Sequence, residues 1–400
     1  MYSLITERMD QRMNDRERTL AVLRYEPYDR LPVVHFGFWN GPGETLDKWA
    51  REGHITEEEA RTWSDGNPTD AAISAKLGFD FNYYSAFHPQ WHLRPPFEQR
   101  LIEELPDGSS KVLNSEGVIV LVKPGATGAA PPEFDHLLKD RASWEEHFVP
   151  RLQFTPERVN ESFVRVNDKM VRWDQGGLAF LQEDKREYLY GLHCGSLFGD
   201  IRDMLGVTGA AYLEVDDPDL FTEIIDTVGE LCYQCTKAAL ESGAKFDFAH
   251  FWEDLCFKTG PLIRPKTFAE KVGPHYRRIT DLVGQYGLDI VSVDCDGKID
   301  ALLPIWLENG VNTMFPMEVG TWGASIAPWR AKYGRQVRGV GGTDKKVFAR
   351  DFAAVDAEIE RLKPLVDLGG YIPCPDHRLP PDAKWDNVRY YCDRMHQVFG

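Results

Sequence analysis

LDIVSV (288–293), VNTMF (311–315), QVRGVG (336–341) and GGYIPC (369–374) are four short apolar runs within the stretch from Gly287 to Ala383. A helix-like segment follows each of the first three. Apolar runs of about 4–8 residues that alternate with helical patterns predict βα units around a parallel sheet. Polar and titratable residues collect where the runs end. Asp294, Cys295, Asp296 and Gly297 follow the first, and Met317 and Glu318 the second. Gly341 to Lys345 close the third, and Cys374, Pro375, Asp376 and His377 the fourth. In α/β barrels the C-terminal strand ends build the active site.

The rest of the chain repeats this rhythm. LPVVHFGFW (31–39) predicts a first strand that delivers His35, Phe38 or Trp39 to its end. FDFNYYS (79–85) predicts a second, ending in Tyr83 and Tyr84. EYLYGLHCG (187–195) predicts a third, ending at His193 and Cys194, and KFDFAHFW (245–252) a fourth, placing His250, Trp252 and Glu253. Helices are expected over 6–25, 45–63, 141–151, 156–173, 198–206 and 217–242. Residues 99–123 break the pattern, and their PDG turn predicts a β-hairpin insertion over the site. GATGAAPPEF (125–134) reads as a loop. With no repeat and no linker visible, residues 1–400 are expected to form a single α/β domain. The expected fold is a (β/α)8 TIM barrel with an N-terminal helical extension.

Composition narrows the function. The formal charge of −17 disfavours nucleic acid and anionic membrane surfaces, because both need clustered Lys and Arg. No apolar run reaches the roughly 18 residues of a membrane span, and the mixed charges of the N-terminus predict no secretory leader. Seven cysteines, odd in number and scattered, do not form a disulfide framework. A cytoplasmic protein is expected, with monomer and homodimer both open.

The strand-end set is Glu253, Asp294, Asp296, Glu318, Asp376 and His377. Carboxylates with one imidazole suit a divalent ion, and an added thiolate would favour zinc. The same groups suit metal-free acid–base chemistry. Helix capping is the competing structural use of each carboxylate. Strand alternation turns Asp294 and Asp296 to one side and Cys295 to the other. Gly341-Gly342-Thr343-Asp344-Lys345 could cradle an anion, but it lacks the full phosphate-loop pattern and reads as a turn. Cys232 and Cys235 form a CxxC inside a helical pattern and read as packed thiols.

Four stretches carry a family resemblance: RERTLAVLRYEPYDRLPVVHFGFW (16–39), VDCDGKIDALLPIWLENGVNTMFPMEVG (293–320), RGVGGTDKKVF (338–348) and GGYIPCPDHRLPPDAKWDNVRYY (369–391). They resemble the uroporphyrinogen decarboxylase superfamily, which implies a TIM barrel. That superfamily includes decarboxylases and cobamide-dependent methyltransferases that carry zinc in the barrel mouth. Thiol-methylating members have His-x-Cys-Gly where this chain has Asp294-Cys295-Asp296-Gly297, and a cysteine where His377 stands. The resemblance therefore implies a carboxylate/His zinc site, as in the methoxyl-demethylating branch. HFGFWNGPG (35–43) stands where decarboxylases carry an Arg-rich porphyrin grip.

What the resemblance implies is a zinc-dependent methyltransferase that moves a methyl group between a small methoxylated or methylamine-type substrate and a corrinoid (cobalamin-type) partner protein. Asp296, Glu318 and His377 are the expected metal ligands. Glu253, Asp294 and His377 are the expected catalytic groups, with Glu253 as a fourth ligand or general acid. His35, Trp39, Tyr83, Tyr84, His193, His250 and Trp252 are expected to line the substrate pocket. Two alternatives stay open: a metal-free decarboxylase of a small carboxylic acid with Asp296 and His377 in proton transfer, and a non-catalytic corrinoid or tetrapyrrole carrier.

Overall fold

A computed structural model describes residues 12–125 and 131–400. The eight predicted strands form, in chain order, β1 (Val34–His35), β2 in two pieces (Phe81–Asn82 and Ala86–Phe87), β3 (Gly191–His193), β4 (Ala249–Trp252), β5 (Val291–Asp294), β6 (Thr313–Met317), β7 (Arg338–Thr343) and β8 (Tyr371–Pro375). Every neighbouring pair is parallel. The first piece of β2 pairs with β1 and the second with β3. The ring closes just beyond β8 and β1, where Phe38 bridges Leu379 in parallel and Leu379 N–H donates to the Gly37 carbonyl at 3.1 Å. The fold is a (β/α)8 barrel. Strands buried on both faces explain why they read as near-continuous apolar runs.

Two connections differ from expectation. The insertion is a four-stranded antiparallel sheet, Arg100–Glu104, Ser110–Leu113, Val118–Val122 and Glu133–His136, in place of a hairpin. Pro131 and Pro132 give the last strand the appearance of a loop, yet the Pro132 carbonyl still accepts from Leu121 N–H at 2.9 Å. The predicted loop (125–134) lies partly outside the described residues. Residues 156–173 are not one helix: a turn of helix over Glu157–Asn160 leads into a hairpin, Phe163–Val166 against Lys169–Arg172. Asn167 makes that turn at φ +54°, a left-handed conformation Asn tolerates, and FVRV favours strand over helix.

The described part of the N-terminal helix is Asp15–Leu23, started by a capping box between Asn14 and Glu17; the predicted residues 6–11 lie outside the described region. The helix after β3, Gly199–Asp216, bends at Gly206, where His136 of the insertion packs. Among the described residues no helix is long and apolar enough to cross a membrane. All seven cysteines are free and buried. Cys232 and Cys235 pack within the helix Pro218–Glu241.

His35 does not reach the mouth. Its ring is fully buried, with Nδ1 accepting from Gly37 N–H at 2.9 Å and Nε2 2.7 Å from Ser74 Oγ. The expectation that it binds substrate is corrected: on β1 it turns into the packing layer against Phe38 and Phe79. Burial, followed by the charge of Arg378, pushes its pKa down to about 3. The folded-state value lies below the unfolded one, so its contribution is fully present above pH ~6.5 and is lost as pH falls through that window. At pH 5.5 the loss reaches about 1.5 kcal/mol. In denaturant titrations, wild type is expected to lose that much more than His35→Asn between pH 7.5 and 5.5. Parallel losses in the two proteins would contradict this.

Candidate active site at the barrel mouth

The strands deliver their carboxylates to one place. β4 and β5 pair with Trp252 opposite Asp294, and β5 and β6 with Asp294 opposite Phe315. Just past β4 the backbone of Asp254 turns to φ +47°, which Asp tolerates at modest cost. Its Oδ1 then accepts Asp296 N–H at 3.1 Å. As a result Asp254, Asp294 and Asp296 each place a ligand atom within 4.8 Å of the others.

This set differs from the metal set expected from sequence. Asp296 is shared, and Asp254 and Asp294 stand where Glu318 and His377 were expected. The Glu318 carboxylate turns back on its own neighbourhood, accepting Gly297 N–H at 2.5 Å and the Thr321 hydroxyl at 2.7 Å. His377 meets the set from the side, with Nε2 3.0 Å from Asp296 Oδ2. Among the described residues, two buried polar atoms here lack partners, Asp296 Oδ1 and His377 Nδ1.

The electrostatics follow from crowding. Burial first, then the charges of Asp254 and Asp296, hold the Asp294 carboxyl well above the carboxylate range, with Arg378 opposing. Burial and then Asp296 push Asp254 up to about 6. Burial and then Asp296 also raise Glu318. Arg378 is the cation acting on Asp294, yet its guanidinium is tied to Asp65 at 2.5 Å. Like charges this close ionise together only when a cation joins them.

Glu253 is not part of this surface. It is fully buried, and its carboxylate accepts the N–H groups of Leu197, Phe198 and Gly199 at 2.8–2.9 Å as well as the Tyr276 hydroxyl. It caps the helix that begins at Gly199, so a role as ligand or general acid is replaced by a structural one. Asp376 is likewise engaged, accepting Gly320 N–H at 2.7 Å and Lys345 N–H at 3.1 Å. The protein's own carboxylate thereby occupies one N–H of the Gly341–Lys345 turn.

Aromatic rings wall the cluster. Trp39, 39% exposed, stacks on His377 at 5.3 Å, and Phe36 meets His377 edge-on at 5.4 Å. Tyr84, half-buried, meets His250 at 5.0 Å. Tyr83 is fully buried between Phe248 and Phe315, which corrects the expectation that it lines the pocket. Trp252 is half-buried at the end of β4.

His193 lies flat on Trp91 at 4.1 Å and close to His88 at 4.6 Å. His88 is exposed, yet desolvation by the surrounding walls lowers its pKa to about 4, as in a deep cleft. His250 has Nδ1 2.6 Å from Ser292 Oγ and an unpartnered Nε2.

Sequence reasoning missed Asp254, Asp65, Arg378, His88 and Trp91. Asp254 was legible only as the neighbour of Glu253, because its turn reverses the expected facing. Arg378 adjoins His377 and could have been found there.

A groove of about 840 Å³ also runs along the helix Pro218–Glu241. Three of its four acids are already paired, Glu223 with Arg141, Asp226 with His275 and Glu230 with Arg278. The barrel mouth, with crowded carboxylates and unpartnered atoms, is the better candidate for chemistry.

Comparison with known proteins bears on the fold. Residues 203–398 match the family model described as uroporphyrinogen decarboxylase (URO-D). A solved structure described as a methyltransferase from Methanosarcina mazei superposes with a TM-score of 0.57 at 13% identity, covering 96% of this chain and 99% of that one. A B12-independent methionine synthase from Shewanella sp. W3-18-1, in complex with selenomethionine, gives 0.46 at 10% identity, covering 92% and 98%. No curated protein matches the chain.

Proposed function

From a barrel of the uroporphyrinogen decarboxylase superfamily, with that family's signature over residues 203–398, we propose a divalent-cation-dependent methyltransferase. It would take a methyl group from oxygen or nitrogen of a small donor and pass it to a corrinoid carried by a partner protein. The observation that carries this reading is the convergence of Asp254, Asp294 and Asp296 within 4.8 Å, where Arg378, the guanidinium acting on Asp294, is already paired with Asp65.

The residues fit a cation. Three carboxylates suit a hard divalent ion, and the His377 imidazole beside Asp296 adds the nitrogen that zinc accepts. Asp254, Asp294 and Asp296 would hold it, with His377 at the margin. A bound cation supplies Lewis acidity at the oxygen or nitrogen that keeps the electron pair when its methyl departs. Trp39 holds the His377 ring by stacking, and Phe36 and Phe315 keep the donor's surroundings apolar. Dry walls strengthen every charge interaction inside the cleft.

The Asp296–His377 hydrogen bond also suits proton transfer in a decarboxylase. The cluster argues against that use, because a carboxylic acid substrate would enter as an anion among carboxylates, with Arg378 committed to Asp65.

Metal analysis by mass spectrometry tests the reading on protein purified without chelator and then offered zinc or manganese. Near-stoichiometric metal in wild type and its loss in Asp294→Asn support the reading. Equal, negligible contents in both proteins would contradict it.

A further inference from the structure

Tyr84 stands near the carboxylate cluster with an unassigned phenolic hydrogen, and the tautomer of His193 decides where that hydrogen can go. The Gly195 backbone N–H donates to His193 Nδ1 at 3.2 Å. A ring nitrogen that accepts carries no hydrogen, and burial holds the His193 pKa well below its ordinary value. The neutral ring therefore bears its one hydrogen on Nε2. Nε2 lies 3.5 Å from Tyr84 Oη, so across this long contact the imidazole donates and the phenol oxygen accepts. Among the described residues Tyr84 Oη has no other hydrogen-bond partner.

The surroundings hold this arrangement. Gly195 has φ +103°, and a Cβ there would lie 2.3 Å from Cys232 Sγ, so the turn that presents its N–H requires glycine. His193 is stacked on Trp91 at 4.1 Å and 11°. The Tyr84 ring is held between Phe36 at 5.8 Å and His250 at 5.0 Å. Its backbone N–H donates to Asn82 Oδ1 at 2.9 Å. Burial, then the charge of Asp294, raises the Tyr84 hydroxyl far above its ordinary range, so it remains a donor.

We infer that Tyr84 donates a hydrogen bond to the substrate heteroatom that loses its methyl group, and that His193 is a positioning residue that directs this donor. The inference rests on the methyl-transfer reading. In that reaction the bond from heteroatom to methyl breaks with both electrons left on the heteroatom, while the methyl bonds to a two-electron nucleophile on the acceptor. Charge develops at the heteroatom, and a fixed donor aimed at it stabilises the transition state more than the ground state. Solvent supplies the proton afterwards. A donated hydrogen bond needs a free lone pair, so it suits a leaving atom that is uncharged before transfer.

Two measurements on the full-length protein test this. The first needs no substrate: ¹⁵N-histidine NMR at pH 7, assigned by the signal lost in His193→Gln, is expected to show His193 with its hydrogen on Nε2. A hydrogen on Nδ1 overturns the inference. The second follows methyl transfer to reduced cobalamin from methyl aryl ethers whose leaving phenols differ in acidity. Tyr84→Phe is expected to lower kcat about 10²-fold with KM little changed, and to lose most with the least acidic phenol. His193→Gln, which keeps a donor, should retain most activity, and His193→Phe should behave like Tyr84→Phe. A loss independent of the leaving group, or none, overturns the inference. If wild type transfers methyl from no donor, the methyl-transfer reading fails and the role assigned to Tyr84 falls with it. The NMR result still reports separately on the His193 tautomer.

Discussion

Asp294→Asn is expected to abolish cation binding and at the same time make the cation-free protein more stable. In the native mouth Asp294 is 3% exposed and faces Asp254 and Asp296, while Arg378, the cation acting on it, is paired with Asp65. Asparagine keeps the shape and removes a carboxyl that burial, then Asp254 and Asp296, hold well above the carboxylate range, so the cost of burying it protonated at neutral pH disappears. The cation-free variant should melt roughly 2–4 °C higher, the shift that about 1–2 kcal/mol produces in a large domain. Its cation affinity should fall at least about 10²-fold, because a hard ion loses one anionic ligand of three. Differential scanning calorimetry with and without added zinc or manganese reads both effects. Opposite signs are the mark of a site kept for binding at the expense of stability. A variant that melts lower than wild type without cation, or one that binds as tightly, would contradict the account.

Gly297→Ala is expected to have the largest effect on the fold around the site. Gly297 closes the turn after Asp296 at φ +84°, and a Cβ there would lie 2.1 Å from the Cys256 carbonyl oxygen. Backbone, rather than a flexible side chain, blocks the space, and alanine adds left-handed strain. The cost is expected to be about 3–4 kcal/mol. Because Gly297 N–H is held by Glu318 at 2.5 Å, relief of the clash would displace Asp296 as well. The variant should therefore lose both melting temperature and cation binding, in contrast to Asp294→Asn. A variant within about 1 kcal/mol of wild type would show that the turn relaxes freely.

The barrel was legible because its strands are buried on both faces, so each reads as an unbroken apolar run bounded by polar residues. Loops and insertions were less legible. FVRV and KMVR (163–166 and 169–172) lie inside a stretch whose overall periodicity looks helical, and only Asn167-Asp168 marks the turn. At the site, strand alternation correctly placed Asp294 and Asp296 on one side and Cys295 in the packing. Glu253 was singled out as a strand-end carboxylate and Asp254 was passed over, because the positive φ of Asp254 turns the chain just past β4. Glu253 then caps a helix and Asp254 takes the facing position. His35 and Tyr83 were misplaced because titratable or polar-tipped residues near a strand end resemble site residues. Their hydrogen-bond or ring partners, Ser74 and Phe79 for one, Phe248 and Phe315 for the other, come from distant parts of the chain. The pairing of Arg378 with Asp65 spans most of the barrel and leaves no local pattern.

The central claim is that the Asp254–Asp294–Asp296 cluster holds a cation that activates a methyl donor. The most direct test follows reduced cobalamin by its absorbance while the full-length protein is offered O-methyl and N-methyl donors, with metal, with chelator, and as Asp294→Asn. Methylation of cobalamin that requires the metal and is lost in Asp294→Asn is the predicted result. No methylation under any condition, together with CO₂ release from a small carboxylic acid by chelator-treated protein, would contradict the account.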